Sequence, residues 1–146
     1  MGSAFFSGAR QLALLVFAFH RAGAHKLERA MTEDLAGRRC KPCEGGVPPL
    51  TREQSEQLLR ALHTDWSISS DGPSIARNFE FSTYSGTLGF ANAVAGIAIS
   101  EDHHPVLTVA YGSCKVSYTT HAINGLSDND FICAAKIDRL AEATLR

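Results

Sequence analysis

The sequence predicts an α+β domain: one four-stranded antiparallel sheet with three helices packed on one face, in the order α-β-β-α-β-β-α. Two kinds of periodicity and the punctuation between them carry that expectation. Apolar residues recur at helical spacing in three separate stretches and alternate with polar residues in two paired stretches. Gly, Pro and Asn-Gly turn signals divide one stretch from the next. A chain of 146 residues, 45% of them hydrophobic, is long enough for one buried core.

Arg38 to Leu50 (RRCKPCEGGVPPL) is too rich in Pro and Gly for a regular helix or strand and reads as a folded-back loop. Thr51 with Gln54 three residues on forms a capping box, and Leu58, Leu59, Leu62 and Trp66 follow at helical or near-helical spacing, so the first helix is expected from about Arg52 to His63. Asp71-Gly72-Pro73 is a turn. Beyond it Ile75, Arg77, Phe79 and Phe81 alternate with Ala76, Asn78 and Glu80, a strand whose hairpin partner is Trp66 to Ile68. From Thr83 to Ala98 the period becomes 3.6, with Phe90, Val94, Ile97 and Ala98 on one face, and the helix stops near Ser100 ahead of Pro105. A second hairpin follows, in which Leu107, Val109 and Tyr111 lead through Gly112-Ser113 into Cys114, Val116, Tyr118 and Thr120. After the Asn124-Gly125 turn, Ser127 with Asp130 marks an N-cap, and Phe131, Ala134, Ile137 and Leu140 define the third helix.

Residues 1–35 differ in kind from the domain expected over 36–146. Arg10, Arg21, Lys26 and Arg29 face a single acid before residue 31, Glu28, around the apolar run Leu12 to Phe19. Eight apolar residues are far short of the roughly 20 that cross a bilayer as a helix, so no membrane span is expected there. The segment fits an organellar transit peptide, a secretory signal or an extension. Localisation is accordingly mitochondrial or another organelle if it is a targeting segment, and cytoplasmic otherwise. A net charge of -1 supplies no basic field, so nucleic acid and anionic membranes are not expected partners.

Among six histidines, His103 and His104 at the end of the second helix and His121 at the end of the last strand can come together in this layout. Imidazoles, with ordinary pKa values near 6.5, suit general acid–base chemistry at neutral pH. A three-histidine zinc site is the rival, but adjacent residues diverge on a regular element, and no metal is expected. A third reading has the histidines as mere loop residues, one of them packing or capping. Cys40-x-x-Cys43 has no second close pair, and its favoured reading is a loop whose cysteines pack or close locally against the first helix. P-loop, dinucleotide, serine-hydrolase and zincin motifs are absent.

Asp102-His103-His104-Pro105, Tyr111, Thr120-His121, Gly125-Leu126 and Asp130 together resemble the motif string of the pterin-4a-carbinolamine dehydratases. Upstream, Cys40-x-x-Cys43-Glu44-Gly45-Gly46, Pro49-Leu50-Thr51, Trp66, Phe79-x-Phe81 and Gly89-Phe90 extend the similarity, and Asn129-Asp130-Phe131 and Ala134 to Asp138 carry it downstream, over about residues 38–140. The resemblance implies the same α+β fold, a homodimer or homotetramer, and a hydro-lyase acting without cofactor or metal. Its reaction would convert 4a-hydroxytetrahydrobiopterin to quinonoid dihydrobiopterin in tetrahydrobiopterin recycling.

By the same resemblance, His103 and His121 form the proton-transfer pair, and His104 positions the substrate and stabilises developing charge. Asp130 orients a histidine or shapes the pocket, although a first-turn helix acid is the plainer role. Asp102 and the backbone around Thr119, Thr120 and Ala122 line the pterin, beside His103, His104 and His121. Two positions depart from the family pattern. Ile99 stands where many members carry glutamate, with Glu101 the nearest carboxylate, and Leu107 stands where many carry an aromatic residue. The alternatives are a non-catalytic module that docks to transcription-factor dimers, and an organellar role on a folate or molybdopterin intermediate.

Overall fold

A computed structural model describes residues 34–42, 46–70 and 72–144. Helix α1 (Arg52–Leu59) is followed by β1 (Ser67–Ile68), β2 (Ile75–Glu80), α2 (Tyr84–Glu101), β3 (Val106–Val109) and β4 (Ser113–Tyr118). A 3-10 turn (His121–Ile123) then leads into α3 (Asp128–Thr144). The four strands form one antiparallel sheet, as expected, and their order in it is β1-β2-β4-β3. Thr51 caps α1 with its hydroxyl on the Gln54 N–H while the Gln54 side chain accepts from the Thr51 N–H, the reciprocal pair read from the sequence.

Three elements end earlier than the periodicity suggested. Helix α1 stops at Leu59, because Ala61 and Leu62 continue in tighter turns that donate to the carbonyls of Leu58 and Leu59. Strand β3 ends at Val109. Strand β4 ends at Tyr118, and Thr120 makes only an isolated bridge to Gly125.

Register explains which face is covered. Ile75 lies opposite Tyr118, Arg77 opposite Val116 and Phe79 opposite Cys114, and all six side chains are buried, whereas Asn78, Glu80 and Lys115 are exposed. On the covered face Phe90 lies against Phe79 and Phe81, with ring centroids 4.6 and 5.1 Å apart, and Trp66 meets Phe79 edge-on. Helix α3 is the most enclosed helix: Phe131 through Ala135, Ile137 and Ala141 are all buried. Leu35 and Ala36, on either side of the expected domain boundary, are buried in the same core. The rest of the expected targeting segment lies outside the described residues. Among the described residues no helix is long and apolar enough to cross a membrane.

Arg77 is a charge on this apolar face, and its carboxylate comes from α3. Asp138 Oδ1 accepts from Arg77 at 2.6 Å and from the Trp66 indole at 2.8 Å, while Oδ2 accepts from the His63 N–H. One side chain thereby joins α3 to β2 and to both sides of the α1–β1 connection.

Gly125 is required for close approach. A Cβ there would overlap the Pro49 ring, where Leu50 N–H donates to the Leu126 carbonyl at 2.8 Å. Gly125→Ala is expected to destabilise the protein by about 1–3 kcal/mol, the usual cost of overpacking. A urea midpoint unchanged from wild type would show that the Pro49 segment moves aside freely.

Candidate active site

Helix α2 ends on a residue in the left-handed conformation, Asp102 at φ 50°, and the His103 N–H turns back to the Ala98 carbonyl at 3.1 Å. This reversal sends the two adjacent histidines in opposite directions: His103 is buried and His104 is exposed. Asp tolerates the conformation better than a β-branched residue, and Gly tolerates it best. Asp102→Gly should therefore keep or slightly raise stability. A lowered thermal midpoint in that variant would show that the Asp102 side chain itself holds the turn.

Asp130, fully buried in the first turn of α3, is the hub of the site. Its Oδ1 lies 2.7 Å from His103 Nε2, and its Oδ2 accepts from the Thr120 hydroxyl at 2.9 Å and the Ser127 N–H at 2.8 Å. Oδ2 thus meets the helix start and Oδ1 a histidine. Behind His103 the Tyr118 ring stacks nearly parallel, 5.4 Å between centroids. Burial pushes the Tyr118 phenol well above its ordinary value, and the neighbouring Cys133, Cys40 and Asp130 add to the effect.

Strand β3 begins and β4 ends at the same edge of the domain, because they pair antiparallel with Val106 opposite Ser117. His104, just before β3, and His121, just after β4, therefore emerge at that edge, and both are exposed. Ala122 is exposed beside His121, and the Thr119 hydroxyl donates to the Pro73 carbonyl at 2.7 Å. Thr120 does not offer a free main-chain edge as expected. Its N–H donates to Gly125, its carbonyl accepts from Ile123, and its side chain serves Asp130 and Ser127. It supports the site from beneath. From the sequence Ser127 stands only as part of an N-cap with Asp130, and Tyr118 only as a strand residue. For Ser127 the three-residue spacing to Asp130 was the available signal; for Tyr118 there was none beyond strand alternation.

Other motif residues sit elsewhere. Tyr111 lies at the opposite end of the β3–β4 hairpin, where it stacks on Tyr84. Leu107 packs against the core, and Ile99 is 75% exposed. Glu101 does not replace the missing glutamate, because it is committed to the segment before α1. It accepts from the Cys40 N–H at 2.9 Å and pairs with Arg39 and Lys136. Among the described residues no group of three or more His, Cys, Asp or Glu is placed to hold a metal. A cavity of about 270 Å³ beside Thr120 is lined by Lys41, Val47, Leu50, Ile123 and Asn129 among others, and by none of the three histidines.

Burial alone would raise the Glu101 carboxyl, but the Cys40 N–H, Lys136 and Arg39 outweigh it and hold it below its ordinary 4.5. A carboxylate lowered on folding contributes stability above its unfolded value, and that contribution is lost as pH falls through the folded value. Between pH 6 and 3 the urea midpoint of wild type should fall more than that of Glu101→Gln. Equal slopes would show that Glu101 contributes nothing to folding.

Fold and site together define a small α+β domain with a buried imidazole–carboxylate pair and two exposed histidines at the same sheet edge, residue types suited to proton transfer. The family described as "Pterin 4 alpha carbinolamine dehydratase" matches residues 48–140. A protein of Nitrosomonas eutropha named "Putative pterin-4-alpha-carbinolamine dehydratase" is 56% identical over 73% of this chain and 93% of its own length. One of the same name from Nitrosospira multiformis is 56% identical over 74% and 93%. The crystal structure of a "transcriptional coactivator/pterin dehydratase" from Brucella melitensis is similar at TM-score 0.61 and 33% identity, covering 64% of this chain and 98% of that one. The chain belongs to the pterin-4a-carbinolamine dehydratase family.

Proposed function

We propose that this protein dehydrates a 4a-hydroxytetrahydropterin to the quinonoid dihydropterin, with His103 and His121 as the proton-transfer pair and His104 positioning the substrate. The observation that carries this reading is the 2.7 Å contact of buried Asp130 with His103, at the edge where His104 and His121 emerge. One histidine protonates the departing 4a oxygen and the other takes the N5 proton, so that water leaves and the C4a–N5 double bond forms. Asp130 orients His103 and stabilises positive charge on the ring once it accepts a proton, as carboxylates do behind catalytic imidazoles. Asp102, Thr119 and Ala122 surround the exposed histidines and would border the bound pterin. The test is the dehydration rate of freshly generated 4a-hydroxytetrahydropterin with the full chain. A folded wild-type protein that gives no acceleration would overturn the reading.

A second reading concerns partners. Ile99, Val106 and Tyr111 are 75%, 60% and 71% exposed, and β3 is an edge strand with unpaired backbone groups. A second copy pairing along β3 would satisfy those groups and cover Val106 and Val109, giving a homodimer or a larger homo-oligomer. Light scattering should report an oligomer for wild type and a smaller species for Val106→Lys with Val109→Lys. A wild-type monomer at micromolar concentration would leave this face for a different protein; the similar Brucella melitensis protein is itself described as a transcriptional coactivator.

A further inference from the structure

We propose that Cys40 and Cys133 are a redox modification site: a low-molecular-weight disulfide converts them to an intramolecular disulfide that locks the segment before α1 onto α3. Their sulfurs lie 3.5 Å apart across 93 residues of sequence, and both cysteines are free thiols. The reading of a loop whose cysteines pack or close locally against the first helix is thus replaced for Cys40. Its neighbour is in the third helix, and Cys43 lies outside the described residues.

The surroundings are built to hold the pair in register. The Cys40 N–H donates to Glu101 of α2, Lys41 exchanges two hydrogen bonds with the Asn129 side chain of α3, and Lys136 donates to the Ala36 carbonyl. Residues 36–41 are therefore pinned on both sides of the sulfur contact. Cys133 is fully buried, whereas Cys40 is partly exposed and is the sulfur that an external reagent can reach. In the first step the Cys40 thiolate attacks the external disulfide, forming a mixed disulfide and releasing one thiol. In the second step Cys133 attacks the Cys40 sulfur and expels the second thiol. Two protein thiols and one disulfide thus become one protein disulfide and two small thiols, with two electrons passing to the reagent.

Closing the bond brings the sulfurs from 3.5 Å to about 2.05 Å, a movement within reach of the segment's own side chain. The hydrogen bond to Cys133, burial and nearby Glu101 hold the Cys40 proton on, so little thiolate is present and exchange is slow at neutral pH. Lys41 follows immediately and lines the cavity beside Thr120 and Asn129, so oxidation fixes one wall of that cavity.

Full-length protein treated with oxidised glutathione and digested with trypsin gives the test. Lys41 precedes Pro42 and resists cleavage, so Cys40 and Cys43 share peptide 40–52, while Cys133 lies in 116–136 and Cys114 in 78–115. The expected product is 40–52 bridged to 116–136, retained in Cys43→Ser, lost in Cys40→Ser and reversed by dithiothreitol. Thermal midpoint should rise by about 5–10 °C on oxidation, as closing so long a loop predicts. A Cys40–Cys43 bridge, a glutathione adduct on Cys40 with Cys133 left reduced, or oxidation only after denaturation would each overturn the proposal.

Discussion

Replacing His121 with alanine should lower the acceleration of carbinolamine dehydration by about 100- to 10,000-fold, the usual worth of one positioned proton transfer. His121 is the cleanest of the three histidines to test. It is exposed at the start of the 3-10 turn, so its removal leaves no cavity and no buried group without a partner. His103→Ala is expected to abolish activity as well, but it also strips Asp130 of a hydrogen-bonding partner and exposes the face of Tyr118, so activity and stability would fall together. The informative comparison is kcat against KM for His121→Ala, at an unchanged thermal midpoint. A loss confined to kcat places His121 in the proton transfer. A rise confined to KM would make it a binding group, and wild-type kinetics would remove it from the mechanism.

Asp138→Ala should cost about 3–5 kcal/mol, because it leaves the Arg77 guanidinium buried without its counter-charge. The Trp66 indole and the His63 N–H lose their acceptor in the same substitution. Asp138→Asn, which keeps an acceptor oxygen but not the charge, should cost less. Urea unfolding of the two variants separates the contributions, and a loss below about 1 kcal/mol for the alanine variant would show that water or Asp65, 3.7 Å from the Arg77 guanidinium, replaces the carboxylate. Asp138 stands about 12 Å along α3 from Asp130, at 1.5 Å per residue. The folded fraction of either variant should therefore keep the dehydration rate of wild type.

Much of the scaffold was legible in the chain. The Thr51–Gln54 box starts α1 in the structure because a capping box needs only residues three apart. Strand alternation at Ile75, Arg77 and Phe79 placed three side chains on the core face, including an arginine whose presence there local pattern could not explain. Its partner Asp138 is 61 residues away, and such a pairing leaves no local trace. The site divides in the same way. His103, His104, His121 and Asp130 stand out by residue type, spacing and family resemblance, but the burial of His103 and exposure of His104 follow from the turn at Asp102, and the exposure of His121 from the end of β4.

By itself the sequence determined the α+β class, the order of helices and strands, and the residues able to move protons. These depend on periodicity, caps and turns, whose physics acts over a few residues. Only the tertiary structure decided that Asp130 shares its two oxygens between His103 and the start of α3, that the Thr120 hydroxyl bonds Asp130 and Ser127, and that Cys40 meets Cys133. These contacts depend on which helix face lies against which strand once the core closes, and packing across the whole chain sets that.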